Sequence, residues 1–294
     1  MTQIDIIRAP LCELGEAPIW DYQNQCLYWI DIVKKCIYCL DGSSQAVDSM
    51  NLPFAPSAII PKESGGQLLV TKKGLALMDF KKKSYTSLPT PAINFSEEVF
   101  NDGKCDSKGR LWVDTRDFHT KHPKGHLYCF ESDYSMRCIL SNLVIGNGLT
   151  WSVDESNFYL ADSKPGSISV FDFDVSKGEI SNIKTLIDYK NRFPARPDGI
   201  TIDSENGIWV AEVDDWHIRR YTPNGLLHTS IKMPFKKPTS LIFGGANLDI
   251  LYVTSMRFGL TEKELLETPL SGSLVAIKTK FRGLPVNQFK DLQD

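Results

Sequence analysis

Six polar residues recur at matching positions of a repeated segment, and four of them carry the oxygen ligands that hard metal ions prefer. The six residues are Glu16, Ser57, Asn101, Asn147, Asp198 and Thr239. Their successive spacings are 41, 44, 46, 51 and 41 residues. Carboxylates held close together in a partly desolvated channel repel each other, and a divalent cation that accepts carboxylate and amide oxygens removes this conflict. Without His or Cys at these positions, Ca²⁺, Mg²⁺ or Mn²⁺ is favoured, and Zn²⁺ stays open where it is the available ion.

The alternative for each residue is a purely structural one. Asn-Gly, Asp-Gly and Gly-Glu all suit tight turns, so one isolated copy would be interpreted as a turn. Four copies at matching repeat positions favour convergence on a common site instead.

The segments that carry these residues share one pattern: a polar residue, a short apolar strand, a turn rich in Asp, Asn, Ser and Gly, and a second β-forming strand. The clearest copies begin GEAPIWD, NDGKCD, GNGLTWS, PDGITID and PTSLIFG, and a weaker copy begins PSAIIP. A period of this length is typical of one four-stranded blade of a β-propeller. The sequence therefore predicts an all-β, six-bladed propeller with four antiparallel strands per blade, formed by residues 1–294 as a single domain.

This architecture predicts where the polar residues lie. The first strand of each blade lines the central channel, so the six leading residues are expected to point into one mouth of it, with the metal in the channel. Alternating segments such as KKCIYCLD and GSISVFDFD supply further strands. The strand-like IDII near the N-terminus is expected to join the last blade and close the ring. The one helical candidate is LTEKELLETP at residues 260–269.

Composition excludes several classes of protein. The chain has 294 residues, of which 42% are hydrophobic and 23% charged, with a net charge of −3, which argues against disorder. The only dense basic run is Lys81–Lys83, too short for a nucleic-acid surface. No apolar run approaches the roughly 20 residues of a membrane span, and no signal peptide is evident. Seven cysteines, an odd number, make a reduced, cytoplasmic protein the expectation. No nucleic-acid or membrane partner is expected, and the oligomeric state is unknown.

Several ordered motifs give the chain a family resemblance. LGEAPIWD (14–21), FNDGKCDSKGRLW (100–112), GNGLTWS (146–152), RPDGITIDSENGIWVA (196–211) and FGGANLDILYVTS (243–255) span nearly its whole length. With these motifs, the sequence resembles the regucalcin/gluconolactonase/luciferin-regenerating enzyme family of six-bladed propellers.

The resemblance implies a set of roles for individual residues. Glu16, Asn147 and Asp198 match the family's ligands for one divalent metal ion. Asn101 matches a residue that contacts metal-bound water or substrate, and Asp102 beside it is usually structural. The activity implied is hydrolysis of a sugar lactone to the aldonic acid. We hypothesise that Asp198 is the general base that activates water and that Glu16 is the more purely structural ligand.

The chain departs from the family where the substrate pocket is expected. Family members that act on gluconolactone-like sugars carry an Arg two residues before the Asn of the NDGK motif, and Val99 stands there in this chain. Arg116 could supply a guanidinium from the neighbouring strand, and His119 occupies a position where relatives carry a substrate-contacting acid. Both are predicted to bind substrate. The alternatives are a solvated arginine and a polar surface loop.

Three other functions remain open at this stage. The chain could be an esterase-type hydrolase of a non-sugar cyclic ester, because propellers of this layout host several hydrolytic chemistries. It could be a calcium-binding regulatory protein without catalysis. A protein-interaction propeller is a third class, but it has no reason to keep an anionic ring in its channel. Cys36 and Cys39 form a C-x-x-C pair, for which burial in a strand is favoured over metal or redox function.

Overall fold

The computed structural model describes residues 3–89, 91–192 and 194–292. These residues form six four-stranded antiparallel sheets arranged as the blades of a propeller. In chain order, the N-terminal strand and blades 1–3 are β1 (Asp5–Ile6); β2 (Gly15–Asp21), β3 (Cys26–Asp31), β4 (Cys36–Asp41), β5 (Val47–Asn51); β6 (Pro56–Pro61), β7 (Gln67–Thr71), β8 (Gly74–Asp79), β9 (Ser84–Ser87); β10 (Glu98–Cys105), β11 (Leu111–Asp117), β12 (Gly125–Phe130), β13 (Met136–Leu143).

Blades 4–6 continue the pattern with one helical turn and one short helix. Their elements are β14 (Gly146–Trp151), β15 (Asn157–Asp162), β16 (Ser167–Asp174), β17 (Glu179–Asp188); a 3₁₀ turn (Lys190–Arg192), β18 (Arg196–Ile202), β19 (Ile208–Val213), β20 (His217–Tyr221), β21 (Leu227–Lys232); β22 (Pro238–Gly244), β23 (Ile250–Ser255), α1 (Glu262–Glu267), β24 (Val275–Lys278). The predicted fold class is therefore confirmed, as is the predicted helix. In the described residues, no helix has the length and apolar character that crossing a membrane requires.

The ring closes through its two chain ends, as predicted. Strand β1 pairs with β24, Asp5 opposite Ala276 and Ile6 opposite Val275, so the last blade takes its outermost strand from the N-terminus. Residues of neighbouring blades form the apolar clusters, and the innermost strands β6, β14 and β22 are buried along their whole length. The outermost strand β9 is exposed at every residue. The organisation of residues 1–294 as one domain stays a prediction.

Each innermost strand contains a register shift at its polar leading residue. The shifts lie between Glu16 and Ile19, Pro56 and Ala58, Phe100 and Gly103, Asn147 and Leu149, Pro197 and Ile200, and Pro238 and Leu241. A β-bulge bends its strand and re-aims one side chain away from the ladder. The six polar residues are therefore turned at equivalent points of the six blades.

The C-terminal segment after β24 crosses the end of the channel that lies away from the leading residues. Gly283 bridges to Asp203, just after β18, and Phe289 bridges to Lys62, just after β6. The Phe289 side chain is completely buried. This segment therefore links the far ends of innermost strands from separate blades.

All seven cysteines are free. Cys36 and Cys39 are buried on β4 and pack in two different apolar clusters, because residues three apart on a strand face opposite ways. The pair therefore belongs to the core, as favoured from the sequence, and the cytoplasmic location stays a prediction.

Candidate functional site

A cavity of about 610 Å³ opens where the innermost strands begin. Four of the six leading residues line it, namely Glu16, Asn101, Asn147 and Asp198. Ser57 and Thr239 do not, and both are almost fully buried. The expectation that all six point into the mouth of the channel is wrong for these two residues.

Ser57 and Thr239 instead tie neighbouring blades together. The Ser57 hydroxyl donates to the Phe100 carbonyl at 3.1 Å, and the Thr239 hydroxyl donates to the Gly15 carbonyl at 2.5 Å. The Asn101 amide makes the same kind of bond, donating to the Gly146 carbonyl at 2.9 Å. In each case the acceptor is the residue immediately before the leading residue of the next blade. Three leading residues therefore serve as inter-blade ties.

The other three leading residues make no such tie, and they are the predicted metal ligands. Glu16 accepts only the amide of Ala17, at 3.1 Å, among the bonds of the described chain. The Asp198 Oδ1 atom is buried and has no hydrogen-bond partner. The Asn147 amide nitrogen donates to the Ser163 hydroxyl at 3.2 Å, and its oxygen accepts the Gly148 amide at 2.9 Å, which leaves one lone pair of that oxygen available.

The electrostatics of these carboxylates call for a cation. Burial, followed by repulsion from Asp198 and Asp102, raises the pKa of Glu16 well above its usual value. Burial, followed by repulsion from Asp102, raises the pKa of Asp198 to about 7. An unpartnered buried carboxylate oxygen is costly unless a charge of opposite sign meets it. Two carboxylates and an amide oxygen match the donor set of a hard divalent cation, so the residues present fit such an ion.

In residues 3–89, 91–192 and 194–292, no group of three or more His, Cys, Asp or Glu side chains could hold a metal ion. The candidate site falls outside that description because one of its three ligands is an asparagine.

The backbone that presents two of the ligands is held by buried acids at the ends of the second strands. The Asp162 carboxylate accepts the amides of Val144 and Ile145, both at 2.9 Å, just before Asn147. In blade 1, Asp31 accepts the amides of Glu13 at 2.7 Å and Leu14 at 3.3 Å, just before Glu16. These bonds fix the entry of each innermost strand and therefore the position of its leading side chain.

Two lysines in the channel were not singled out from the sequence. Burial lowers the pKa of Lys72 to about 7 and that of Lys104 to about 8. The Lys72 ammonium donates to the Phe100 carbonyl at 3.4 Å, and the Lys104 ammonium donates to the Ile200 carbonyl at 3.1 Å. Lys104 comes directly after Asn101-Asp102-Gly103 and lies within β10. A lysine inside an innermost strand is expected to lie in the channel, so the sequence could have identified Lys104 as a channel residue.

The predicted substrate-binding residues lie in different surroundings. Arg116 lines the cavity and pairs across β10 and β11 with Val99, so the guanidinium enters beside the position where the family's arginine is missing. His119 lies in an exposed loop, with its ring against Phe118, and Thr120 rather than His119 lines the cavity. The substrate-binding roles of both residues stay predictions.

Comparisons with known proteins agree with this architecture. Residues 14–257 match the family model described as the SMP-30/Gluconolactonase/LRE-like region. Human regucalcin is 30% identical over 282 residues, which cover 94% of each protein. The structure of a luciferin-regenerating enzyme superposes with a TM-score of 0.93 at 27% identity, covering 99% of this chain and 100% of that one.

A second solved structure shows the same fold. A calcium-binding protein, regucalcin, from Agrobacterium tumefaciens superposes with a TM-score of 0.93 at 22% identity, covering 98% of both chains. The family model covers most of the chain, and the human relative matches it almost end to end. The chain belongs to the SMP-30/gluconolactonase/LRE-like family.

Proposed function

We propose that this protein is a cytoplasmic, metal-dependent hydrolase that opens a sugar lactone to the aldonic acid. The observation that carries the proposal is the division of the innermost ring. Among the described residues, Glu16, Asn147 and Asp198 are the three leading residues whose side chains do not donate to a backbone carbonyl of the next blade, and the buried Asp198 Oδ1 atom has no partner. Family membership supports the lactone as the substrate.

Glu16, Asn147 and Asp198 would hold one divalent ion, either Ca²⁺, Zn²⁺, Mg²⁺ or Mn²⁺. A calcium-binding relative with the same fold supports a divalent ion in this family. When bound, the ion would polarise the lactone carbonyl and stabilise the negative charge that develops on its oxygen.

The side chains around the ion would do the remaining work. Asp198 would accept the proton of the attacking water, because its buried carboxylate lies beside the proposed ion and keeps Oδ1 without a hydrogen-bond partner among the described residues. Asn101 is fixed by its bond to the Gly146 carbonyl and would orient water or substrate. Arg116 would donate to a substrate oxygen, and His119 would approach the substrate from the loop beside the cavity.

The test is turnover of a panel of aldonolactones by protein treated with EDTA and then supplied with each ion in turn. We expect ion-dependent turnover that Asp198→Asn abolishes while substantial metal binding remains. Glu179→Gln, at an exposed acid on β17, is the matched control and should keep full activity. Turnover that survives EDTA, or persists in Asp198→Asn, would contradict the mechanism.

Two other outcomes would identify the alternatives. Ion binding without hydrolysis of any lactone would indicate a regulatory calcium-binding protein. Ion-dependent hydrolysis of non-sugar cyclic esters, with no turnover of aldonolactones, would indicate the esterase-type hydrolase.

A further inference from the structure

A second ring of side chains surrounds the cavity above the predicted metal ligands. In every blade the second strand ends where the innermost strand begins, and one residue at that end lines the cavity. From blade 1 to blade 6 these residues are Ile32, Lys72, Arg116, Ser163, Val213 and Met256. The ring is therefore cationic in blades 2 and 3, which are neighbours, and apolar in blades 5, 6 and 1.

Neither cation of this ring forms an ion pair within 4.0 Å of a carboxylate among the residues that the structure describes. Arg116 donates through Nη1 to the carbonyls of Asp117 and Phe118, each at 3.2 Å, and forms no ion pair within the described chain. The Lys72 ammonium donates to the Phe100 carbonyl and to no other group of the described residues. After burial, repulsion from Arg116 is the largest cause that lowers the pKa of Lys72. The two groups are therefore close enough to destabilise each other's charge.

The other cations that line the cavity differ in this respect. Arg196 lies 2.6 Å and Lys237 lies 3.7 Å from the two oxygens of Asp214, so both have a carboxylate of the protein. Asp117 does attract Arg116, but its carboxylate accepts the amides of Lys121 and His122. Only blades 2 and 3 therefore present cations to the cavity without a paired acid, among the lining residues that the structure describes.

Metal binding would sharpen this imbalance. Glu16, Asp114 and Asp102 all attract Lys72 and so stabilise its charge, and Glu16 has the largest effect of the three. A divalent ion held by Glu16 and Asp198 would offset the attraction from Glu16, so the repulsion between Lys72 and Arg116 would weigh more. An anion between them would remove the repulsion, and charge-assisted bonds to carboxylate or phosphate are the strong ones.

We propose that the substrate is a lactone that carries an additional anionic group, a carboxylate or a phosphate, bound by Lys72 and Arg116. Ile32, Val213 and Met256 form an apolar wall, and the cations beside it, Arg196 and Lys237, are already paired with Asp214. The anionic end of the substrate is therefore directed towards blades 2 and 3. The identity of the substrate as a lactone rests on the proposed function, whereas the anion site rests on the cavity alone.

The first test measures binding and requires no turnover. Calcium-loaded protein is titrated calorimetrically with D-gluconate, 6-phospho-D-gluconate and D-glucarate, which differ in having no second anionic group, a phosphate or a carboxylate. We expect at least one of the two ligands with a second anionic group to bind about tenfold or more tightly than gluconate, from the usual strength of a bond to a charged group. The tighter of the two identifies the preferred group.

Variants then locate the site. Arg116→Gln and Lys72→Met should each remove most of the preference for the ligand with a second anionic group. Lys73→Met, at the exposed neighbouring lysine, is the matched control and should retain it. Equal affinity of the native protein for gluconate, 6-phospho-D-gluconate and D-glucarate, or a preference that survives in both cavity variants, would overturn the proposal.

The second test separates this proposal from the proposed function. The ratio of kcat/KM for 6-phospho-D-glucono-1,5-lactone to that for D-glucono-1,5-lactone should fall about tenfold in Arg116→Gln if phosphate is preferred. Hydrolysis of both lactones at equal efficiency, with no preference in binding, would refute the anion site and leave the lactonase intact. Loss of the binding preference in Arg116→Gln without hydrolysis of any lactone would support the anion site and refute the lactonase.

Discussion

Replacing Asp198 with asparagine should stabilise the metal-free protein at alkaline pH, although it removes a proposed catalytic group. Burial and repulsion from Asp102 raise the pKa of Asp198 from 3.8 to about 7 in the folded protein. Each unit of difference between folded and unfolded pKa corresponds to about 1.4 kcal/mol. The charged carboxylate therefore lowers the free energy of unfolding at pH 8 by on the order of 4 kcal/mol, a cost that the neutral amide avoids.

The raised pKa of Asp198 determines the pH range over which stability changes. The folded protein holds this proton more tightly than the unfolded chain does, so stability declines as the pH rises from about 4 to about 7 and then levels off. Urea unfolding in EDTA at a series of pH values between about 5 and 8.5 measures the effect. We expect the difference in stability between Asp198→Asn and native protein to grow across this range in favour of the variant.

Addition of Ca²⁺ should reverse the order. An ion that binds only the folded state stabilises the protein by an amount that rises with the ratio of ion concentration to Kd. The native site offers the ion one more carboxylate than the variant does, so Ca²⁺ should stabilise the native protein more. Glu179→Gln, which removes an exposed acid, should follow the native protein in both conditions. If Asp198→Asn is less stable than native protein in EDTA at pH 8, the carboxylate is not held against an unfavourable environment and the electrostatic argument for the metal site fails.

Three other substitutions test how the fold positions the site. A methyl group at Gly148 would overlap the backbone from the Asp198 carbonyl to the Ile200 amide, so Gly148→Ala should weaken calorimetric Ca²⁺ binding about tenfold or more; unchanged affinity would show that β14 and β18 can separate freely. Thr239→Val removes the donor to the Gly15 carbonyl and should lower the free energy of unfolding by about 1–3 kcal/mol in urea titrations. Thr239→Ser keeps the hydroxyl donor and should retain most of the native stability. Phe289→Ala should cost about 3–5 kcal/mol by the same measurement, because that ring is completely buried in the C-terminal segment; a loss below about 1 kcal/mol would show that the segment does not brace the propeller.

The fold could be predicted from the sequence because the same strand pattern occurs six times. Six copies of one strand pattern, with a period of 41 to 51 residues, specify the blade count, and the isolated IDII segment indicates how the ring closes. The cavity position of Glu16, Asn101, Asn147 and Asp198 followed from the same repeat.

What the repeat could not specify is which leading residues enter the cavity. Ser57 and Thr239 occupy the same positions as Glu16 and Asp198 in their blades, but their short hydroxyl side chains can donate to the next blade, which a carboxylate cannot do. Lys72 was missed for a different reason. Lys72 lies in the turn-like sequence TKKG, where a lysine is ordinarily solvated. Its position in the cavity becomes clear only when the six blades are arranged around the channel.

The division of the innermost ring gives the proposed metal a structural task as well as a chemical one. Ser57, Asn101 and Thr239 link blade 2 to 3, 3 to 4 and 6 to 1. Among the residues that the structure describes, no leading side chain makes the equivalent bond from blades 1, 4 or 5, and these are the blades of Glu16, Asn147 and Asp198. An ion held by those three residues would therefore join the blades whose leading residues lack ties. In this arrangement the proposed ion would balance the buried carboxylates and would also complete the inner ring, so metal affinity and the stability of the cavity mouth would rise and fall together.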